Sequence, residues 1–242
     1  MKTIAVISRK GGSGKSTLAI HLAAAAGAAG RRAILVDMDP QRSSLDWSRE
    51  RKADWPVVIE GRAGALFTTH RAAERQGLDL MVVDTRAAAD AEAAEAARQA
   101  DLCLIVVRPG FFDLQAVGRT AEMVANMRRA GLFVLNQAPT RRNGVEPPVI
   151  RDALTVLASH DFPVAEIGLR HRAAYQSAMG RGLGAQEAQP DSQAAFEINS
   201  LWQHVADRLW PVPGRPIYRG RSPSGEADGP LRLAPREMAL AG

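Results

Sequence analysis

Residues 9–16 of the chain read RKGGSGKS, and this stretch decides the fold. It follows a short apolar run at residues 3–8 (TIAVIS) and precedes a helix-like pattern at residues 17–29. A strand, a glycine-rich loop and a helix in this order are typical of a phosphate-binding loop. The glycines let backbone N–H groups turn toward an anion, and the helix N-terminus adds a partial positive charge. The sequence therefore predicts a phosphate site at residues 9–16.

The lysine and the serine that close this loop fit a nucleotide with Mg²⁺. Lys15 would reach the β- and γ-phosphates, and the Ser16 hydroxyl would bind the metal ion. The predicted nucleotide-binding residues of this segment are Gly11, Gly12, Ser13, Gly14, Lys15, Ser16 and Thr17. The alternative is a glycine turn that happens to carry Lys-Ser. Two positions depart from the common pattern, because Arg9 stands where glycine is usual and Lys10 is a second lysine.

Lys10 gives the loop its resemblance to a known family. The pattern KGGxGK[ST], which begins here at Lys10, resembles the deviant Walker A motif of the ParA/MinD family of ATPases. The resemblance implies ATP and Mg²⁺ as cofactors and an ATP-dependent homodimer in which Lys10 reaches the phosphates bound by the partner subunit. A charge supplied in this way would stabilise the transition state, as an arginine finger does. The simpler interpretation of Lys10 is a solvated cation beside a phosphate site.

Two further apolar runs end in acidic residues. Residues 33–39 (AILVDMD) are followed by Pro40-Gln41, which resembles the DxDPQ segment of the family and implies that Asp39 orients the attacking water. Residues 80–84 (LMVVD) resemble the Walker B strand, which implies that Asp84 holds Mg²⁺ together with Ser16. The family usually continues with Thr or Cys and then prolines, whereas residues 85–87 here are Thr-Arg-Ala. The alternative for such an acid is to cap the next helix.

The composition of the 242 residues limits the class of protein. With 46% hydrophobic and 24% charged residues, the chain is expected to form one globular domain with a real core. We find no apolar stretch of the roughly 18–20 residues that span a bilayer, and the first strand leaves no room for a signal peptide. Cys103 is the single cysteine, which excludes an intrachain disulfide, a cysteine zinc cluster and the related nitrogenase iron protein. We therefore expect a cytoplasmic protein.

Apolar runs and helix-like patterns alternate along the chain, which predicts an α/β fold. Because the strand runs are apolar without alternation, we expect a mostly parallel sheet flanked by helices on both faces, as in P-loop NTPases. The nucleotide would lie at the carboxyl edge of that sheet. Strands are predicted at residues 3–8, 33–38, 80–84, 102–107, 132–136 and 163–167, a short apolar run at 57–60, and helices at 17–29, 43–52, 64–76, 87–100, 114–129, 148–159 and 192–209.

The last 32 residues differ from the rest. Residues 211–242 contain six prolines and five glycines, which exceeds the roughly 25–30% that is typical of disordered segments. We therefore predict an ATPase domain at residues 1–210 and a disordered tail at 211–242. The alternative is an arm that wraps a partner through its arginines and through Leu231 and Leu233.

Residues 134–141 (VLNQAPTR) resemble the strand-to-loop segment that contacts the nucleotide base in the family. This resemblance makes Asn136 the candidate for binding adenine, because an amide both donates and accepts hydrogen bonds. The alternative is an asparagine that ends the strand and caps a turn.

Arginines after residue 166 suggest a DNA-binding face. Residues 167–184 resemble a family segment that adds basic residues to a surface that binds DNA without sequence preference. The candidates are Arg170, Arg172 and Arg181, and the net charge of +5 agrees with this interpretation. The alternative is a solvated basic surface with no ligand.

Together these features predict a ParA-type ATPase that is slow and stimulated by a ParB-like or other partner. It would bind nucleoid DNA without sequence preference and drive the segregation or positioning of a plasmid, a chromosome locus or a protein cluster. One alternative is a MinD-like membrane-cycling ATPase, but the C-terminal residues, broken by Pro230 and Pro235, lack the amphipathic helix that this needs, so no stable membrane association is expected. Another is a ligase-type enzyme or a tyrosine kinase on the same fold, yet only Tyr175 and Tyr218 are present.

Overall fold

Six parallel strands form the centre of the chain in a computed structural model that describes residues 1–87, 90–211 and 231–232. The strands of this sheet are β1 (Lys2–Ile7), β2 (Ala33–Asp37), β3 (Val57–Glu60), β4 (Leu80–Asp84), β5 (Leu102–Val107) and β6 (Gly131–Leu135). Their spatial order is β3-β2-β4-β1-β5-β6, and every neighbouring pair is parallel. A separate two-residue strand, β7 (Ile167–Gly168), pairs antiparallel with β8 (Leu231–Arg232).

Helices cover both faces of the six-stranded sheet. They are α1 (Lys15–Ala28), α2 (Ser43–Glu50), α3 (Leu66–Arg75, after a 3₁₀ turn at Ala63–Ala65), α4 (Asp90–Gln99), α5 (Phe111–Asn126), α6 (Pro148–Leu157), α7 (Ala173–Met179), α8 (Ala185–Ala188) and α9 (Gln193–Leu209). Helices α1 and α9 pack on one face, and α3 to α6 pack on the other. Within the described residues, no helix is both long and apolar enough to cross a membrane.

Burial on both faces explains why the strands are continuously apolar. In β4, Leu80 and Val82 join the core beneath α1 and α9, whereas Met81 and Val83 join the core beneath α3 to α6. Every residue of β2, β4, β5 and β6 is buried. Side chains of a strand alternate between faces, so a strand covered on both sides needs apolar residues at every position. The predicted fold class is confirmed.

The register of the sheet brings the motifs to one edge. β1 lies between β4 and β5, and β4 lies between β1 and β2. Val6 pairs with Asp84, and Asp37 also pairs with Asp84. The phosphate loop after β1 and the acids that end β2 and β4 therefore meet at the carboxyl edge, where open parallel sheets bind their ligands.

The structure differs from the predicted elements in a few places. Residues 57–60 form the edge strand β3, and α5 begins at Phe111 rather than at residue 114. The strand predicted at 163–167 is reduced to a bridge between Phe133 and Val164 and to β7. Helices α7 and α8 were not predicted, because their seven and four residues carry no periodic apolar pattern. Most of the predicted tail, 212–230 and 233–242, lies outside the described residues, so its disorder stays a prediction.

Candidate functional site

The loop between β1 and α1 has the backbone shape of an anion cradle. Gly12 and Gly14 have φ angles of 70° and 84°, in the left-handed region that favours glycine. A Cβ on Gly14 would collide with the Asn136 amide, so this position also requires glycine for space. The Ser13 side chain is buried, and its hydroxyl has no hydrogen-bond partner within the described residues. Ser16 and Thr17 follow in the first turn of α1, so the predicted nucleotide-binding residues of this segment lie together.

Lys15 is a buried cation at the start of α1. Only 6% of the residue is exposed, and this burial lowers the pKa of its ammonium group, while the charges of Asp84 and Asp39 oppose the shift. A desolvated ammonium group is a strong partner for an anion that enters the loop. The position of Lys15 therefore fits a phosphate ligand.

Asp84 is fully buried at the end of β4. Its Oδ2 atom accepts a hydrogen bond of 2.9 Å from the Ser44 hydroxyl, whereas Oδ1 has no partner within the described residues. Burial raises the pKa of Asp84 to about 7, and the charge of Asp37 adds to this, while hydrogen bonding by Ser16 and Ser44 and the charge of Lys15 oppose it. A buried carboxylate oxygen without a partner fits a cation, which would lower this pKa again.

The metal would need the nucleotide as a further ligand. Within the described ranges, no group of three or more His, Cys, Asp or Glu side chains could hold a metal ion by itself. Mg²⁺ usually has one or two protein ligands and takes the rest from phosphates and water. Ser16 and Asp84 are therefore sufficient protein ligands for Mg²⁺ that arrives with a phosphate chain.

The two aspartates of the DMD segment have different surroundings. Asp37 is buried and accepts backbone hydrogen bonds from Asp39 (3.0 Å), Ser44 (2.9 Å) and Leu45 (3.0 Å). The Asp37 side chain thus caps the N-terminus of helix α2. Burial raises the pKa of Asp37 overall, and these hydrogen bonds oppose only part of that rise. Asp39 is half-buried, accepts a 3.0 Å hydrogen bond from the Gln41 backbone and lines an open cleft of about 580 Å³. The capping alternative therefore holds for Asp37, and Asp39 remains available to the cleft.

Arg9 connects the loop to the segment after Asp84. Its guanidinium forms a 2.8 Å ion pair with Asp90, the first residue of α4. Thr85 is buried and donates a 2.8 Å hydrogen bond to the Val6 carbonyl, and Arg86 lies 3.5 Å from the Glu92 carboxylate. Residues 85–87, which depart from the family pattern, therefore lie in a segment that the unusual Arg9 ties to the loop through its ion pair with Asp90.

Lys10 lies on the outer rim of the loop. Its ammonium group is 5.7 Å from the centre of the Phe112 ring, which is a cation–π contact. Beside it, Arg108 forms two hydrogen bonds to Asp113 (2.9 and 3.0 Å), and its Nη2 atom lies 3.5 Å from the Gly11 carbonyl. Arg108 was missed in the sequence, because its place beside the loop depends on β5 pairing with β1.

Asn136 supports the loop from below. It is 3% exposed, and its Nδ2 atom donates to the carbonyls of Ser13 (2.8 Å) and Gly14 (3.3 Å), while Oδ1 accepts from the Gln137 backbone (3.0 Å). Gln137 adds a 3.0 Å hydrogen bond to the Gly12 carbonyl. The amide of Asn136 therefore positions the phosphate loop, a role the sequence did not indicate, and adenine binding by Asn136 stays a prediction.

The predicted DNA-binding arginines do not form one surface. The Arg170 side chain is fully buried and donates to the Pro139 carbonyl and to both Glu146 oxygens (3.2 and 3.0 Å), so it does not lie on an exposed face, and DNA contact by Arg170 stays a prediction that this burial does not favour. A buried guanidinium must be paired with an acid, and here that pair lies inside the fold. The Arg172 side chain is 13% exposed and its guanidinium binds Glu197 at 2.8 Å. Arg181 is exposed.

Comparisons with known proteins agree with the predicted family and fold class. A family model for the CobQ/CobB/MinD/ParA nucleotide-binding domain matches residues 4–182. The chain is 31% identical over 214 residues to the maintenance of carboxysome distribution protein A of Halothiobacillus neapolitanus, which covers 84% of this chain and 95% of that protein. Its fold is similar to septum site-determining protein MinD complexed with Mg-ADP from Pyrococcus horikoshii (TM-score 0.67, 19% identity, 84% and 95% of the two chains). It is also similar to a Cyanothece McdA variant in complex with ATP (TM-score 0.65, 16% identity, 86% and 96%).

Proposed function

The chain belongs to the CobQ/CobB/MinD/ParA nucleotide-binding family, and from this premise we propose that it is a ParA-type ATPase that hydrolyses ATP to ADP and phosphate with Mg²⁺. The observation that carries the proposal is that buried Lys15 and buried Asp84 lie near enough to affect each other's pKa beside the glycine loop. The Oδ1 atom of Asp84 has no partner within the described residues. Relatives of similar fold are known with Mg-ADP and with ATP, which supports these cofactors.

Each residue of the site has a role that its surroundings support. Lys15 and the loop N–H groups would bind the β- and γ-phosphates, and Asn136 would keep the loop in that shape. Mg²⁺ held by Ser16 and Asp84 would neutralise phosphate charge. Asp39 would orient the attacking water from the cleft side, and Lys10 of a second subunit would stabilise the charge of the transition state.

The biological role that we propose is the positioning of a cargo by ATP-dependent homodimers. One relative is named for the maintenance of carboxysome distribution and another is named ParA, so the cargo classes are a protein assembly and a DNA molecule. The protein would be cytoplasmic and nucleoid-associated, with a partner that stimulates slow hydrolysis. Since Arg170 is buried, the DNA contact would use Arg181 and other exposed arginines.

ATP titration calorimetry with Mg²⁺ tests the proposed enzyme directly. Lys15→Ala should weaken ATP binding about tenfold to a hundredfold, because a desolvated charge-assisted contact is lost. Lys52→Ala is the matched control, since Lys52 is exposed and lies outside the site. Unchanged ATP affinity in Lys15→Ala would contradict the assignment of the loop.

Retention on random-sequence duplex DNA tests the proposed role. We expect retention with ATP but not with ADP, and a steep loss as salt rises from about 50 to 200 mM, because phosphate contacts release counterions. Equal retention in both nucleotide states, or none in either, would remove nucleoid binding from the proposal and leave the ATPase assignment in place.

A further inference from the structure

Two adjacent phenylalanines are exposed at the start of α5. Phe111 is 67% and Phe112 is 68% exposed, and their rings meet edge to face with centroids 5.5 Å apart. We call these two residues the Phe pair. Large exposed apolar groups that lie next to each other commonly mark an interaction site rather than a solvated surface. Neither the nucleotide site nor the core uses these rings, so they need a separate explanation.

The fold holds the Phe pair beside the phosphate loop. β5 pairs with β1 in a register that sets Ile105 against Ile7, so the chain leaving β5 passes the loop that leaves β1. The first turn of α5 is fixed by the buried Asp113, which accepts two hydrogen bonds from Arg108. The Phe pair is therefore presented on a rigid helix end at the rim of the nucleotide site.

Lys10 lies against the Phe pair. Its ammonium group lies 5.7 Å from the Phe112 ring centre, on the outer side of its own loop. An anionic surface that binds Lys10 from this side of the loop would lie next to that ring. Arg108 is neutralised by Asp113, so Lys10 carries the net charge of this rim.

A second copy of the chain has a complementary surface at the same edge of its sheet. The charged lining of the open cleft of about 580 Å³ has more acids than bases: Asp37, Asp39, Glu60 and Glu92 against Arg42 and Arg62. Arg42 pairs with Glu60 at 3.1 Å, and the phosphates bound by the loop would add further negative charge. A two-fold arrangement that brings Lys10 to this edge of the partner covers both Phe pairs at once, because a two-fold interface uses the same patch on both subunits.

We propose that the Phe pair is the apolar anchor through which a second copy of this chain docks across the nucleotide site. The inference rests on the proposed function, since it names the surface that the ATP-dependent dimer uses. In the monomer, the Phe112 ring holds Lys10 at the rim. In the dimer, both rings are covered and Lys10 exchanges the ring for the partner's phosphates.

Sedimentation velocity with ATP and Mg²⁺ tests this anchor. The variant Phe111→Ser/Phe112→Ser should raise the dimer Kd at least about tenfold, because aromatic anchors dominate interface energies. Its ATP affinity, measured at concentrations where the chain is monomeric, should be unchanged. Val156→Ser is the control, since Val156 is 38% exposed near the far end of α6, which runs from the carboxyl edge of the sheet back toward the other edge.

Thiol protection gives a second measurement, made at chain concentrations where sedimentation shows that the cysteine variant still forms the dimer. Cys103 is the single cysteine of the chain and is buried, so Phe112→Cys adds an accessible thiol to a chain without another exposed one. Alkylation of this thiol should slow at least about tenfold when ATP drives dimer formation, and alkylation of Val156→Cys should not change.

The outcomes separate this inference from the proposed function. A wild-type chain that does not bind ATP would contradict both. Normal ATP-dependent dimers in the serine variant, with the thiol of Phe112→Cys equally reactive in both states, would overturn the Phe-pair proposal and leave the ATPase standing. Normal dimers that no longer respond to the stimulating partner would assign the surface to that partner instead, which also overturns docking of a second copy.

Discussion

Replacing Arg170 by alanine distinguishes a structural arginine from a DNA-binding one. The side chain is fully buried, and its guanidinium donates to the Pro139 carbonyl and to both oxygens of Glu146. Its backbone N–H donates to Glu197 at 3.1 Å. These contacts connect the segment after β7 to the loop after β6, so Arg170→Ala should weaken the packing between them.

The expected loss of stability follows from the burial of the pair. Removing one partner of a buried ion pair costs about 3–5 kcal/mol, because the remaining charge has no partner. Here Glu146 is 29% exposed and keeps Arg141 at 2.9 Å, which places the loss near the lower end, at about 3 kcal/mol. For a domain of this size, that corresponds to a fall in Tm of about 6–12 °C.

Urea unfolding followed by far-UV circular dichroism measures this loss. Arg181→Ala is the control, since an exposed arginine should change the free energy of unfolding by no more than about 0.5 kcal/mol. Arg170→Met, which keeps most of the side-chain volume, separates loss of charge pairing from loss of packing. An Arg170→Ala chain of unchanged stability that fails to bind DNA would refute the reasoning and return Arg170 to the DNA surface.

Three other predictions concern the site and the core. Asp39→Ala should preserve ATP binding but lower single-turnover hydrolysis at least about a hundredfold, since water positioning is lost; normal turnover would reject this role. Asn136→Ala removes two hydrogen bonds to loop carbonyls and should weaken ATP binding about tenfold in calorimetry, whereas an unchanged Kd would show that the loop keeps its shape alone. His21 is fully buried, and burial lowers its pKa to about 4. As the pH falls from about 6.5 to 4, the imidazole is therefore protonated in the unfolded chain but stays neutral in the native chain, which favours unfolding. The raised pKa of Asp84 acts in the opposite direction over the same window, so the prediction concerns the difference between two chains. The stability of the wild type relative to His21→Asn should fall by up to about 3 kcal/mol between pH 6.5 and 4, and parallel pH profiles of the two chains would contradict this.

The sequence predicted the sheet and the loop because both depend on local patterns. Continuous apolar runs such as residues 80–84 require burial on both faces, whatever their neighbours are. The loop at residues 9–16 requires glycines with left-handed backbone and a lysine at the helix start, and these are properties of adjacent residues. For this reason the family, the fold class and the position of the phosphate site could be predicted from the sequence alone.

The tertiary structure alone decided which polar side chains meet. Arg170 was expected at the surface, but the packing of its loop against Glu146 buries it, and no local pattern distinguishes a paired arginine from a free one. Asn136 supports the loop because β6 ends close to a segment 122 residues earlier in the chain. The Phe pair lies beside Lys10 because β5 pairs with β1, a contact that depends on strand order. A sequence pattern fixes the environment of each element, whereas side-chain partners that are distant in sequence are set by how the elements pack.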